Sequence, residues 1–203
     1  FGPQMFYCNA KINGVADLKG LKIRSFTPSM SAMLEYFGAT PVTLGFSDVY
    51  PALQKGVVSC GVTSPTSSNT GKWMEVTTHF MPLSVSGAVQ GHFMNLDTWN
   101  KMSSSEQAKL KKGFKKLEND LWDLANTVND DAMRCIVGEE PCEKHTKYNL
   151  KRVTLSDADT AKVKEAALKV VLPTWKKTCN SVDKKCTNTW NKTVGKVAGM
   201  TIK

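Results

Sequence analysis

The chain has 203 residues, a formal net charge of +9, 41% hydrophobic and 22% charged residues; that is enough for one or two domains with a sizeable core, and it excludes a disordered or fibrous chain. A basic balance suits nucleic acid, an anionic membrane or small acids as partners. No basic run is interleaved with aromatic residues, no finger or RNA-binding signature occurs, and no apolar run reaches the length of a membrane span; most lysines lie on predicted helices beside apolar stripes, the pattern of a solvated face.

Met5 to Ile12 alternates loosely and reads as a strand, and Gly14 to Lys19 as a turn with a short helical piece. Asp17 to Gly61 then reads as strand, helix, short strand, helix, strand. Leu21 to Ser25 is the first of these strands. Thr27 is placed to cap a helix with Pro28 at its first position, and Gly38 stops it. Pro41 to Leu44 is extended. Ser47 is expected to cap a second helix with Asp48 in its first turn, Gly56 ends it, and Val57 and Val58 open the next strand. Two β-α-β crossovers predict neighbouring parallel strands with helices on the faces. Ligands in open α/β sheets gather beyond the carboxyl ends of such strands, and Arg24 sits at one of those ends. A strand-end Arg is either a solvated rim charge or a planar fork of donors aimed at a carboxylate or phosphate; spacing does not separate the two.

Gly61 to Gly71 is rich in Ser and Thr. Such a stretch is commonly a polar connection, but here it follows a strand on the cleft side. Its groups suit an oxygen-rich ligand: Thr63 first, then Ser67 and Asn69. Lys72 to Val76 is a short helix whose Trp73 either packs in the core or walls the cleft. His79 to Leu83 and Ala88 to Asn95 read as further strands, with Gly87 and Gly91 as kinks. Gln90 and His92 alternate to one face, toward the cleft, with a structural role the competing reading for His92. Ser103 and Glu106 form a capping box before a long helix. Its apolar face carries Leu110, Phe114, Leu117, Leu121, Leu124, Val128 and Ala132, and Gly138 ends it. Tyr148 to Val153 can be one more strand. Ser156 caps another amphipathic helix through Val171, disturbed at Pro173, and a last helix runs from about 187 to 197.

The six cysteines are Cys8, Cys60, Cys135, Cys142, Cys179 and Cys186. An even set in a chain of this size points to an oxidising compartment. Six cysteines allow fifteen pairings, and sequence does not choose among them outright. Cys135 with Cys142 and Cys179 with Cys186 would each close a small loop, contributing about 2.5 kcal/mol by loop entropy. Cys8 with Cys60 would tie two strands together, contributing about 4 kcal/mol on the same scale. A metal reading of Cys135, Cys142 and His145 lacks a fourth ligand and the close spacing of zinc sites. Catalysis has no support in the motifs: there is no G-x-S-x-G, no P-loop and no paired His on a helix.

Three motifs stand in order: Asp17-Leu18-Lys19-Gly20-Leu21-Lys22-Ile23-Arg24; Phe37-Gly38-Ala39-Thr40-Pro41-Val42; and Asp48-Val49-Tyr50 with Ala52-Leu53-Gln54-Lys55-Gly56-Val57-Val58. Together they resemble the solute-binding proteins of tripartite ATP-independent periplasmic (TRAP) transporters, and a weaker likeness continues through Lys72 to Val76, Asn95 to Trp99 and the Cys-rich end. The resemblance implies an α/β fold: a periplasmic-binding-protein-like second lobe with a mixed sheet, followed by a long connecting helix and C-terminal helices. The expected division is a ligand-binding lobe at 1–102, then a spanning helix and disulfide-stapled helices at 103–203. It also implies that Arg24 holds a ligand carboxylate and that Phe46 is an aromatic near the ligand. Thr63 falls where many members place an Asn, Ala10 where sialic-acid-binding members have a second Arg, and Ser59-Cys60 where the family has Asp-Gly.

On this resemblance the protein is expected to be a periplasmic, non-catalytic receptor without a cofactor. It would carry a small organic acid to the membrane subunits of a TRAP transporter. Much of the first lobe is expected ahead of Phe1, or on a partner chain. A disulfide-stapled module for polyanions and a sensor subunit binding the same acids are the alternatives.

Overall fold

The computed structural model describes residues 2–88 and 90–202. In chain order its first half holds β1 (Gln4–Cys8), β2 (Lys22–Ser25), α1 (Pro28–Tyr36), β3 (Thr40–Thr43), α2 (Phe46–Gln54), β4 (Cys60–Thr63), α3 (Pro65–Thr70) and β5 (His79–Ser86). Then come α4 (Leu96–Asn100), α5 (Ser104–Val137), β6 (Lys151–Arg152), α6 (Asp157–Ala166), α7 (Leu172–Val182), α8 (Cys186–Lys192) and α9 (Val194–Val197). The strands form one mixed sheet in the order β3-β2-β4-β1-β5-β6. Both crossovers expected from sequence are present: β2 pairs in parallel with β3 and with β4. β1 is antiparallel to β4 and β5, and β5 is parallel to β6.

Local chemistry accounts for most boundaries. The Thr27 hydroxyl accepts the Met30 N–H at 3.2 Å, and Pro28 follows where no N–H is needed. Gly38, Gly56 and Gly138 all have φ between 70 and 79° at helix ends, where a Cβ would be strained. Ser103 and Glu106 make the expected capping box on α5. A π-helical turn over Ala167–Val171 precedes Pro173, whose ring cannot donate into a regular ladder.

Three expectations fail. The Ser- and Thr-rich stretch after β4 is not a loop: Pro65–Thr70 forms α3, capped by the Ser64 hydroxyl. Ser47 does not cap α2: the helix starts one residue before it, with Gly45 at the N-cap and no side-chain bond. Ala88 to Asn95 is not a strand. Val89 lies outside the described residues, and the described neighbours take no regular structure before Asn95 caps α4. Gly87 and Gly91 supply neither packing nor strand propensity, and none of the described residues of this segment joins the sheet.

Alternation along the strands splits the core into two layers. Phe6, Cys8, Ile23, Cys60, Val62 and Met81 face α1 and α6, packing on Met33, Leu34 and Ala166. Met5, Tyr7 and Phe80 face the other way, onto Val49 and Leu53 of α2, Trp73, and Ile136 of α5. The second half of the chain is therefore part of the same core: Val153 and Ala166 close one layer, and Ile136 and Leu150 the other. The C-terminal end of α5 is buried at Ala132, Cys135 and Ile136, whereas Phe114, Leu117, Leu121 and Leu124 are 39–50% exposed.

All six cysteines are paired as Cys8–Cys60, Cys135–Cys142 and Cys179–Cys186. Cys8 and Cys60 are directly opposed on adjacent antiparallel strands. Beside the second bridge, the buried Asp131 carboxylate gathers the loop that follows α5. It accepts from the backbone N–H of Glu143 at 2.8 Å, of Lys144 at 3.0 Å, and from His145 Nδ1 at 2.7 Å. These donors, the Glu143 amide foremost, hold its pKa down at about 2 against the cost of burial.

Two predictions follow from these ties. The double variant Cys8→Ala/Cys60→Ala should lose about 4 kcal/mol of unfolding free energy, read as a lower urea midpoint; an unchanged midpoint would show that the strand pairing alone holds β1 to β4. Because the folded pKa of Asp131 is depressed, its contribution is complete above the unfolded value of about 4 and is lost as the pH falls toward 2. Asp131→Asn should therefore cost about 2 kcal/mol at neutral pH and flatten the stability curve between pH 4 and 2. A full acid limb retained in that variant would assign the transition to other carboxylates.

Candidate functional site

Arg24 is the centre of the site, and its placement follows from strand alternation. Ile23 enters the α1 layer, so Arg24 must turn to the opposite face. Its sheet neighbours there are Val42 on β3 and Gly61 on β4. Gly61 matters because a Cβ at that position would lie 2.7 Å from Trp73 Cζ3. The missing side chain lets the Trp73 ring come up against the sheet, with its centroid 5.8 Å from the Arg24 guanidinium carbon. The Phe26 ring lies on the guanidinium at 4.6 Å, a cation–π contact.

The guanidinium is held by backbone. Nε donates to the Leu44 carbonyl at 3.1 Å and Nη1 to the Val62 carbonyl at 2.9 Å. These bonds anchor the fork and leave both hydrogens of Nη2 without an acceptor among the described residues. No Asp or Glu among the described residues pairs with it. Arg24 is 4% exposed, and burial lowers its pKa to about 10, so it remains charged at neutral pH. A buried, charged fork with donors to spare is an anion site in waiting, because an ion out of water needs a counter-charge or full hydrogen bonding.

The other residues expected at the site separate into groups. Phe46, the first residue of α2, is 43% exposed and stacks on Trp73 with centroids 5.3 Å apart. Thr63 is buried at the carboxyl end of β4, and its hydroxyl has no partner among the described residues. The Ser67 hydroxyl and N–H both meet the Ser64 hydroxyl, the cap of α3. Asn69 is turned inward: its amide donates to the Thr146 carbonyl at 2.7 Å and accepts the Thr146 N–H at 3.1 Å, so it ties α3 to the loop after α5. Trp73 is fully buried and acts as the floor beneath Phe46 and Arg24. Gln90 is exposed and lines a different depression.

That depression is a groove of about 790 Å³ along α5. Gln90 and His92 form part of its rim, Ser64 and Thr66 reach it from α3, and Leu117, Leu121 and Leu124 form its apolar floor. His92 stacks over Phe114 at 6.3 Å. Sequence reasoning missed Phe26, Leu44 and Val62. Phe26 was visible as an aromatic two residues after Arg24, but the other two act through backbone carbonyls, which leave no side-chain signal.

Asp131, Cys135 and His145 bring possible metal-binding atoms within 4.8 Å of one another. Cys135 is bonded to Cys142, and Asp131 already accepts three N–H groups, so the donor set is that of a structural clamp.

Comparison with known proteins identifies the family and the fold. The model of the DctP family, bacterial extracellular solute-binding protein, family 7, matches residues 2–178. The C4-dicarboxylate-binding periplasmic protein DctP of Rhodobacter capsulatus is 25% identical over 145 residues, 71% of this chain and 44% of its own length. The sialic acid-binding periplasmic protein SiaP of Vibrio cholerae is 30% identical over 119 residues, 54% of this chain and 34% of its own. A TRAP periplasmic solute-binding protein from Desulfovibrio salexigens, solved with bound orotic acid, superposes with a TM-score of 0.78 at 19% identity, covering 94% of this chain and 59% of that one. The chain thus spans less than half the length of these two curated relatives. With a family model running through the sheet, the long helix and the first disulfide loop, the chain belongs to the bacterial extracellular solute-binding proteins of family 7, the solute-binding proteins of TRAP transporters.

Proposed function

We propose that this protein is a periplasmic receptor that captures a small carboxylate-bearing organic acid and hands it to the membrane subunits of a TRAP transporter, without cofactor or catalysis. The observation that carries the reading is the buried Arg24 guanidinium, anchored by Leu44 and Val62 and lacking an acidic partner. Nη2 is the edge that meets the carboxylate, Thr63 supplies a free hydroxyl nearby in the sheet, and Phe46 covers the solute. Ser67 shapes the loop through Ser64, and Trp73 supports the aromatic layer from below.

The division at 102/103 is proposed as one of labour: residues 1–102 hold the solute, and 103–203 carry the connection, while both contribute to one core. The half-exposed apolar face of α5 is where we place the first lobe, on the same chain or a partner. The relatives are longer than this chain, and a groove already runs along that face. A hinge between the lobes would then close on the acid and present a closed form to the transporter.

Thermal melting against a panel of small organic acids, including succinate, malate and orotate, tests the reading. One acid should raise Tm in the wild type, and the shift should persist in high salt, unlike binding to a polyanion. In Arg24→Ala the affinity should fall by about 10- to 100-fold, the loss expected for a charge-assisted hydrogen bond. A shift of the same size in Arg24→Ala would remove this residue from the site.

A further inference from the structure

We propose that Phe26 is a specificity-determining residue of the Arg24 site, and that the site takes a carboxylate attached to a flat ring in preference to a puckered or polyhydroxylated acid. The inference rests on the receptor reading of Arg24 and adds the shape of the solute to it.

The argument begins with what the site leaves available to the body of a solute once its carboxylate has met Arg24. The polar side chains that follow β4 are already engaged: Ser64 bonds Ser67 at 2.8 Å, and the Asn69 amide donates to and accepts from Thr146. Among the described residues Thr63 retains a free hydroxyl, and so does Tyr7, buried against Trp73. An acid rich in hydroxyls would bury groups that find few partners in this half of the site, which is unfavourable for each one left unpaired.

Aromatic surface, by contrast, is available. Phe26 is 37% exposed while lying on the guanidinium, and Phe46 is 43% exposed while stacked on Trp73. Arg24 itself is 4% exposed, and of the two rings on its guanidinium Phe26 is the exposed one while Trp73 is fully buried. A ring carrying a carboxylate can place its anion on Nη2 and its face or edge against Phe26, the offset or edge-on geometry that aromatic pairs favour. A puckered acid of equal size gains the same charge contact without the ring contact, and a flexible aliphatic acid also gives up rotamer freedom.

Calorimetric titration of the protein with benzoate, cyclohexanecarboxylate and β-D-galacturonate separates the two layers of the argument. Benzoate and cyclohexanecarboxylate share a carboxylate and a six-membered ring and differ in flatness. Wild type should favour benzoate over cyclohexanecarboxylate by about five-fold, the size of an aromatic pair contact, and bind galacturonate more weakly still. Phe26→Ala and Phe26→Leu should bring the first ratio toward one, whereas Arg24→Ala should weaken all three acids together. A benzoate preference that is absent in wild type, or unchanged in both Phe26 variants, would overturn the proposal and leave the receptor reading standing. Failure of every acid to bind wild type, or binding untouched by Arg24→Ala, would overturn both.

Discussion

An unpaired positive charge beneath an aromatic ring is the constraint around which this structure is arranged. Removing an ion from water costs several kcal/mol even after the surroundings relax, and folded proteins generally meet that cost with an acidic partner. Arg24 has two backbone carbonyls and two aromatic faces instead. The carbonyls fix the direction of the fork, and the rings exclude water from it without neutralising it. A negative charge brought to this guanidinium would interact with it far more strongly than the same pair in water.

Holding such a charge in place requires a frame that does not give way. The frame is the parallel β3-β2-β4 segment, where Arg24, Val42 and Gly61 lie side by side. The Cys8–Cys60 bridge ties β4 to β1, and so joins the segment to the antiparallel half of the sheet. The absence of a side chain at Gly61 admits Trp73, and Trp73 in turn supports both Arg24 and Phe46. Each of these links is a close packing contact, so a change at any one is transmitted to the guanidinium.

The far end of α5 obeys a different logic. Its last turns are buried in the second core layer and clamped by Asp131, the Cys135–Cys142 bridge and the Asn69–Thr146 pair. Its middle presents Leu117, Leu121 and Leu124 to solvent along the groove. The helix is thus rooted at one end and uncovered along its middle, and Thr66 of α3 reaches the same groove.

Much of this was legible from residue order. Capping residues, positive-φ glycines and the alternation of apolar positions mark α1, α5 and the crossovers, because helix ends and strand faces are governed by neighbours a few residues away. The equal short spacings pointed to two of the cysteine pairs, and the strand positions of Cys8 and Cys60 to the third, but the choice among fifteen pairings came from the structure. The failures share a cause. Ser47 is a good cap, yet the helix extends past it to a glycine because Phe46 gains a stack on Trp73. Residues 88–95 carry strand-like alternation, but none of the described ones joins the sheet. Asn69 sits in a Ser- and Thr-rich stretch that reads as a ligand cradle, but the stretch folds as α3 and the side chain's partner is a backbone 77 residues away. By itself, then, the sequence determined the local elements, their order and the presence of an Arg at a strand end. Only the tertiary structure decided that this Arg is buried, unpaired and roofed by Phe26, because burial and pairing depend on groups brought together from distant parts of the chain.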